Sequence, residues 1–248
     1  RVFEVMDENP EIDKEESVDV DNLQGEVNLE NVEFSYNNDK KILKNINLTA
    51  HKGQTIAIVG PTGSGKTTII NLLNKFYTID SGKISIDGKN IDDITMESLR
   101  KSVSVVLQDT YLFSVSIREN LRYGNLNATD EEIEKAAKLA NAHHFIMQLE
   151  DGYETVLSDN GSNLSQGQLL AIARAILSNS SILILDEATS SIDTRTEVAI
   201  QEAMVNLMKG KTTFIIAHRL STIRSADKIL ALKDGEIIGS IMYSKSQI

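Results

Sequence analysis

Thr55-Ile56-Ala57-Ile58-Val59-Gly60-Pro61-Thr62-Gly63-Ser64-Gly65-Lys66-Thr67-Thr68-Ile69-Ile70-Asn71-Leu72-Leu73 passes from a short β-rich run through a glycine-rich turn into a helical segment. The apolar residues at positions 69, 70, 72, 73 and 76 fit one face of that helix. Residues Gly60 to Thr67 satisfy the pattern G-x-x-x-x-G-K-[ST] at every fixed position. Each residue type has a physical reason to be there. Glycines admit backbone conformations closed to residues with a Cβ, so successive N–H groups converge on phosphate oxygens at the N-terminus of the following helix. Lys66 brings a mobile cation to the β- and γ-phosphates of a nucleotide, Thr67 offers a hydroxyl to Mg²⁺, and Thr68 carries the site into the helix.

A second part of such a site is a carboxylate at the end of a buried strand. Ser181-Ile182-Leu183-Ile184-Leu185-Asp186-Glu187 is an apolar run, suited to a parallel strand covered on both faces, that ends abruptly in two acids. Alone, two acids after a strand read as a helix N-terminal pair. Beside the glycine loop, Asp186 is expected to hold Mg²⁺, directly or through water, and Glu187 to polarise an attacking water.

Around these segments the chain alternates strand and helix. Val27, Leu29, Val32 and Phe34 form a broken alternation, followed by β-rich runs at Ile42 to Thr49 and Thr55 to Val59. Ser81 to Gly88 reads as a small hairpin and Val103 to Leu107 as a buried strand. Residues 109 to about 178 are helix-dominated, with a start signal at Thr129-Asp130-Glu131-Glu132 and periodic Ile133, Ala136, Ala137 and Ala140. Strands return at Ile182–Leu185, Thr213–Ala217 and Ile229–Leu232, interleaved with helices near Glu197–Met208 and Ser221–Ser225. The class is α/β with a helical block inserted.

The predicted boundaries are an acid-rich linker over residues 1–24 and a folded unit over 25–248. Beginning at Arg1 rather than Met, the sequence reads as a fragment of a longer protein. No run approaches the ~20 apolar residues that cross a bilayer. A formal net charge of −11 argues against a nucleic-acid partner, which recruits a basic face. With no cysteine there are no disulfides or thiolate sites, and His143-His144 lacks metal-ligand spacing.

Taken together, the glycine loop, Asn163-Leu164-Ser165-Gln166-Gly167-Gln168 and Ile182-Leu183-Ile184-Leu185-Asp186-Glu187-Ala188-Thr189-Ser190 resemble the ABC ATPase family, whose signature is close to LSGGQ. The likeness is nearest to exporter-type half-transporters and runs from Arg1-Val2-Phe3-Glu4-Val5 to Asp234-Gly235. It implies a P-loop NTPase core of mostly parallel sheet, with an N-terminal antiparallel β subdomain and an inserted α-helical subdomain. It also implies ATP and Mg²⁺ as ligands. Catalysis falls to Glu187, His218, Gln108 and Lys66: Gln108 contacts Mg²⁺ and senses the γ-phosphate, and His218 in Ala217-His218-Arg219 reaches the same group. Tyr36 stacks on adenine in this reading, although a strand aromatic packing on its neighbours fits the same residue. Asp193 is a structural acid in a loop that crosses to the opposite subunit.

The resemblance further implies that Ser165, Gly167 and Gln168, at a helix N-terminus, bind the γ-phosphate of ATP held by a second nucleotide-binding domain. Two ATP molecules then join two head-to-tail domains, so that ATP binding closes the dimer and hydrolysis releases it. The other implied partners are the transmembrane domains of the same transporter, at the cytoplasmic face of the membrane. Their intracellular helices dock on Asp109 to Ser114, where Leu112 and Phe113 suit a hydrophobic subdomain contact nearly as well.

Three departures from the family pattern carry consequences. Gln166 stands where the signature has a glycine. Two polar residues that normally follow Gln168 are missing, and Leu169-Leu170-Ala171-Ile172 comes at once. Losing two residues turns a helix by ~200°, which points its buried face outward unless the preceding loop absorbs the change. The tail from Gly239 to Ile248 lacks the usual acidic-glycine-histidine continuation. Two rival functions follow: a regulatory member of a heterodimer that binds ATP with weak hydrolysis, which Glu187 speaks against, and a soluble ATPase of translation or DNA repair, which the acidic charge and the N-terminal linker disfavour.

Overall fold

The computed structural model describes residues 11–37, 40–107, 110–157, 167–186, 194–217 and 220–242. In chain order the strands and α-helices are β1 (Val27–Phe34), β2 (Leu43–Ala50), β3 (Thr55–Val59), α1 (Lys66–Leu73), β4 (Ser81–Ile86), β5 (Lys89–Asn90), α2 (Met96–Ser102) and β6 (Val103–Val106). The helical block follows as α3 (Ile117–Arg122), α4 (Asp130–Leu139), α5 (His143–Ile146) and α6 (Gly167–Leu177). The chain then returns to β7 (Ile182–Asp186), α7 (Thr194–Met208), β8 (Thr212–Ile216), α8 (Leu220–Ser225), β9 (Lys228–Lys233) and β10 (Glu236–Met242).

The central sheet runs β10-β9-β3-β8-β7-β6. Its β3, β6, β7, β8 and β9 are parallel, and β10 closes one edge antiparallel to β9. Side chains alternate sides along a strand, and along β3, β7 and β8 both sides are buried. Ile56, Ile58, Ile182, Ile184, Phe214 and Ile216 face one core, shared with β1, β2, β4 and α1. Ala57, Leu183, Leu185 and Ile215 face the other, shared with α3 to α7. That two-sided burial is why these strands read as unbroken apolar runs rather than as alternating ones.

The antiparallel sheet has the order β2-β1-β4-β5. The broken alternation of β1 has a specific cause: pairing with β2 shifts between Leu29 and Val32, and Asn31 there takes a left-handed φ of 50°. One extra residue lets Val27, Leu29, Val32 and Phe34 all point into the core. β4 turns through Asp87-Gly88, with φ of 50° and 78°, into the short β5, the geometry that an Asp-Gly hairpin turn requires. At α4 the expected start signal forms a full capping box: the Glu132 amide donates to Thr129 Oγ1 and the Thr129 amide to Glu132 Oε2.

Residues 11–24 lie along α2 rather than apart from the domain. Val18 bridges to Ile94, the Met96 amide donates to Asp13 Oδ1 at 2.9 Å, and Thr95 Oγ1 donates to Asp19 Oδ1 at 2.7 Å. At the other terminus, residues 239–242 of the atypical tail lie in β10, an ordinary edge strand. No helix among the described residues is long and apolar enough to cross a membrane.

Candidate functional site

The parallel strands deliver their C-terminal ends to one edge of the sheet, where an open α/β sheet binds its ligands. Ile58 on β3 is level with Ile216 on β8, and Ile216 with Asp186 on β7. Asp186 thus stands two strand spacings, roughly 10 Å, from the strand that feeds the glycine loop. From these ends the chain continues into Gln108 after β6, Glu187 after β7 and His218 after β8. Those three residues, together with Ser165 and Asp193, lie outside the described residues.

Two glycines of the loop are dictated by geometry. At Gly60 a Cβ would stand 2.1 Å from the Leu232 carbonyl oxygen, so only a bare backbone fits against β9. Gly65 caps α1 in the left-handed region at φ 104°, where a Cβ would also meet Leu43 Cδ2 at 2.6 Å. No side chain caps α1. Its leading amides therefore form an anion-seeking terminus, reinforced by the helix dipole. Around it Pro61, Thr62, Gly63 and Thr67 are exposed, while Ser64 and Thr68 are buried. Lys66 folds back over the loop, its Nζ donating to the carbonyls of Gly60 at 2.8 Å and Pro61 at 3.0 Å. A cation is thereby held on the rim of the loop, satisfied by two weak acceptors that an anion can replace.

Tyr36 lies two residues past the end of β1 and is half-exposed. Its hydroxyl shares a hydrogen bond with Thr68 Oγ1 at 3.1 Å, and its ring packs on Phe34 and Tyr77. The neighbour packing that the sequence allowed is therefore present, and a large part of the ring still faces solvent. Phe76, expected on the apolar face of α1, instead lies past its end and is exposed. The left-handed Lys75, φ 55°, terminates the helix first.

Helix α6 carries Gly167 and Gln168 at its start, and the consequence of its two missing residues can be read directly. Leu169, Leu170, Ile172, Ala173 and Leu177 are all buried, so the helix keeps its apolar face inward. Burial of these apolar side chains sets which way the helix faces, so the two-residue difference leaves the buried face of α6 inward. Inserting Arg-Gln between Gln168 and Leu169 is accordingly expected to shift Tm by no more than about 2 °C. A larger fall in a thermal melt would show that the register of α6 depends on the shorter connection.

Beside the site, a cleft of about 910 Å³ opens between β6 and the helical block, lined among others by Arg100, Leu107, Tyr111, Tyr123, Leu126 and Arg174. Leu112 does not line it. That side chain is 1% exposed, buried in the core of the helical block beside Gly167, so of its two readings the hydrophobic subdomain contact is the one observed.

The wall of the cleft hangs on Asn120, which is fully buried. Its Nδ2 donates to the carbonyls of Phe113, Val115 and Ser116, and its Oδ1 accepts from the Phe113 amide and Arg174 Nη2. Arg174 also donates to the Asn120 and Tyr111 carbonyls and lies over the Phe113 ring, which stacks on Tyr123. Burial pulls the Arg174 pKa below the ordinary arginine value. Neither Asn120 nor Arg174 is conspicuous in sequence, because an Asn or Arg on a helix ordinarily faces water. Replacing Asn120 with Leu strands several buried polar groups, and is expected to cost about 3 kcal/mol and to lower Tm by about 6–12 °C. A melt within 2 °C of the parent would show the network to be redundant.

Comparison with known proteins supplies the family. The model of the family described as "ABC transporter" matches residues 43–190, which include both the glycine loop and the β7 acids. The chain belongs to the ABC transporter family. It is the ATP-binding, ATPase domain of that family. It is 54% identical over 241 residues to the uncharacterized ABC transporter ATP-binding protein YfiC of Bacillus subtilis, covering 96% of this chain and 40% of that protein. It is 48% identical to the ATP-dependent lipid A-core flippase of Syntrophus aciditrophicus, covering 96% and 40%. Against the fatty acid ABC transporter ATP-binding/permease protein of Mycobacterium bovis the identity is 50%, covering 96% and 38%. Among solved structures, an ATP-bound bacterial Atm1-family ABC exporter superimposes with a TM-score of 0.83 at 39% identity, covering 96% of this chain and 42% of that one. The chain thus spans about two fifths of the length of these relatives, and the ABC transporter fold accounts for nearly all of it.

Proposed function

We propose that the chain powers an ABC exporter at the cytoplasmic face of a membrane, with residues 1–24 leading from the membrane domains and residues 25–248 forming the ATPase domain, its helical subdomain at about 109–178. The supporting observation is the glycine loop: an uncapped helix N-terminus with a lysine held on its rim, at the sheet edge where β7 ends in Asp186. In this reading Gly60 to Thr68 wrap the triphosphate of ATP. Lys66 exchanges its two carbonyl partners for phosphate oxygens, and Tyr36 offers its open surface to the adenine. Thr67, Asp186 and Gln108 present the hard oxygen donors that suit Mg²⁺. When bound, Mg²⁺ offsets charge on the phosphate oxygens.

Glu187 takes up the proton of a water aligned for in-line attack on the γ-phosphorus, and His218 and Gln108 hold the γ-phosphate and the water in place. The bond from the γ-phosphorus to the bridging oxygen breaks, leaving ADP and phosphate. Ser165, Gly167 and Gln168 complete the site of a second domain, so ATP closes a head-to-tail dimer. The half-exposed aromatics of the cleft, Tyr111 and Tyr123, receive the intracellular helices of the membrane domains.

Steady-state phosphate release tests the catalytic part. Turnover that rises more than linearly with protein concentration and stops on chelation of Mg²⁺ is expected, since two copies share each site. Absence of phosphate release at every concentration would remove the proposal.

A further inference from the structure

Tyr36 is a loop residue with two free side-chain torsions, and a surface of that kind binds a base well only if it is held before the base arrives. The structure contains the means. Phe34, 2% exposed, meets the Tyr36 ring at a centroid distance of 4.8 Å and an interplanar angle of 86°. On another side Tyr77 meets it at 5.0 Å and 86°, the edge-to-face arrangement that aromatic pairs favour. Tyr77 and Phe34 are themselves 5.7 Å apart. Phe34 belongs to the core of the antiparallel sheet and is fixed by it; Tyr77 is half-exposed and makes no such core.

The ending of α1 sets the position of Tyr77. The Phe76 amide donates to the Asn71 carbonyl and the Lys75 amide to the Leu72 carbonyl, with Lys75 left-handed between them. This pair of bonds around a left-handed residue stops the helix and turns the chain in one defined direction. Tyr77 is delivered by that turn against Tyr36. Tyr36 is therefore tied twice to the helix that grips phosphate, by its hydroxyl to Thr68 in the first turn and by its ring to Tyr77 just past the last.

We infer that Tyr77 is a positioning residue for nucleotide: it holds the Tyr36 ring in register with the phosphate-binding helix, so that base and triphosphate are recognised as one unit. This rests on the reading of Tyr36 as the adenine surface. In this arrangement Tyr77 acts on the nucleotide through the Tyr36 ring that it touches, so its removal weakens the base contribution and spares the phosphate contribution. That split separates positioning from a general structural role.

The test is calorimetric titration of the chain with ATP and with inorganic tripolyphosphate, in the parent and in Tyr36→Ala, Tyr77→Ala, Tyr77→Leu and Tyr77→Phe. Loss of one edge-to-face contact predicts a Kd for ATP raised about fivefold to tenfold in Tyr77→Ala and Tyr77→Leu. Tripolyphosphate binding should be unchanged in both, and Tyr77→Phe should restore ATP affinity. If Tyr36→Ala weakens ATP while Tyr77→Ala and Tyr77→Leu do not, the inference fails and the adenine reading stands. Equal weakening of ATP and tripolyphosphate in the Tyr77 variants also overturns it, because the residue would then support α1 alone. If Tyr36→Ala leaves ATP binding intact, the adenine reading and the inference fall together.

Discussion

Glu187→Gln is expected to lower steady-state phosphate release by at least about a hundredfold while ATP still binds, and to accumulate a dimer in the presence of ATP. General-base assistance contributes ~10²–10⁴-fold, and glutamine keeps the size and the hydrogen-bonding reach of the side chain while losing its basicity. The proposed contacts that carry most of the nucleotide's binding, Gly60 to Thr68 and Tyr36, do not involve this carboxylate, so affinity has no reason to fall. If two ATP molecules hold two copies together, a block after binding and before hydrolysis leaves the complex assembled. Size-exclusion chromatography with ATP should then move the protein from its 27.4 kDa monomer position to twice that mass, and ADP should not. Parent-like turnover in Glu187→Gln would assign the water-activating role to another group. Loss of ATP binding would mean that the carboxylate organises the pocket instead.

The core of the fold is legible because two-sided burial leaves a plain mark: Ile182 to Leu185 is apolar at each position, and each residue faces one of the two cores. The glycine loop is legible because backbone geometry restricts its residue types, as at Gly60 and Gly65. The reason for the irregular spacing in β1 is not, since it depends on Asn31 adopting a left-handed turn opposite a particular partner strand. Residues 11–24 read as a solvated linker by composition, yet Asp13 and Asp19 spend their charge on the start of α2 through contacts more than 70 residues distant in sequence. Asn120 and Tyr77 escape notice for a related reason. Their importance lies in what the tertiary structure sets beside them, and no local pattern announces it. For Gln108, Glu187, His218 and Ser165, which lie outside the described residues, the case rests on sequence and on the described strand and helix ends beside them.

Lys66→Ala is expected to raise the Kd for ATP at least about a hundredfold, because hydrogen bonds from a charged donor contribute ~1.5–3 kcal/mol each and the ammonium has two to transfer. In the structure those two are spent on the carbonyls of Gly60 and Pro61, at a part-exposed site where water can replace them. Stability should consequently stay within about 0.5 kcal/mol of the parent, and a thermal melt separates lost binding from lost folding. Lys66→Arg is the sharper comparison. It keeps the charge but presents a planar fork too wide for the rim now spanned by one nitrogen, so a partial recovery, well short of parent affinity, is expected. Full recovery would mean that charge alone matters and that the close fit of the loop around a single ammonium is incidental. Undiminished ATP binding in Lys66→Ala, measured by calorimetry, would show that the triphosphate does not sit on this loop, and the roles assigned to Thr67, Asp186 and Glu187 would lose the anchor that orients them.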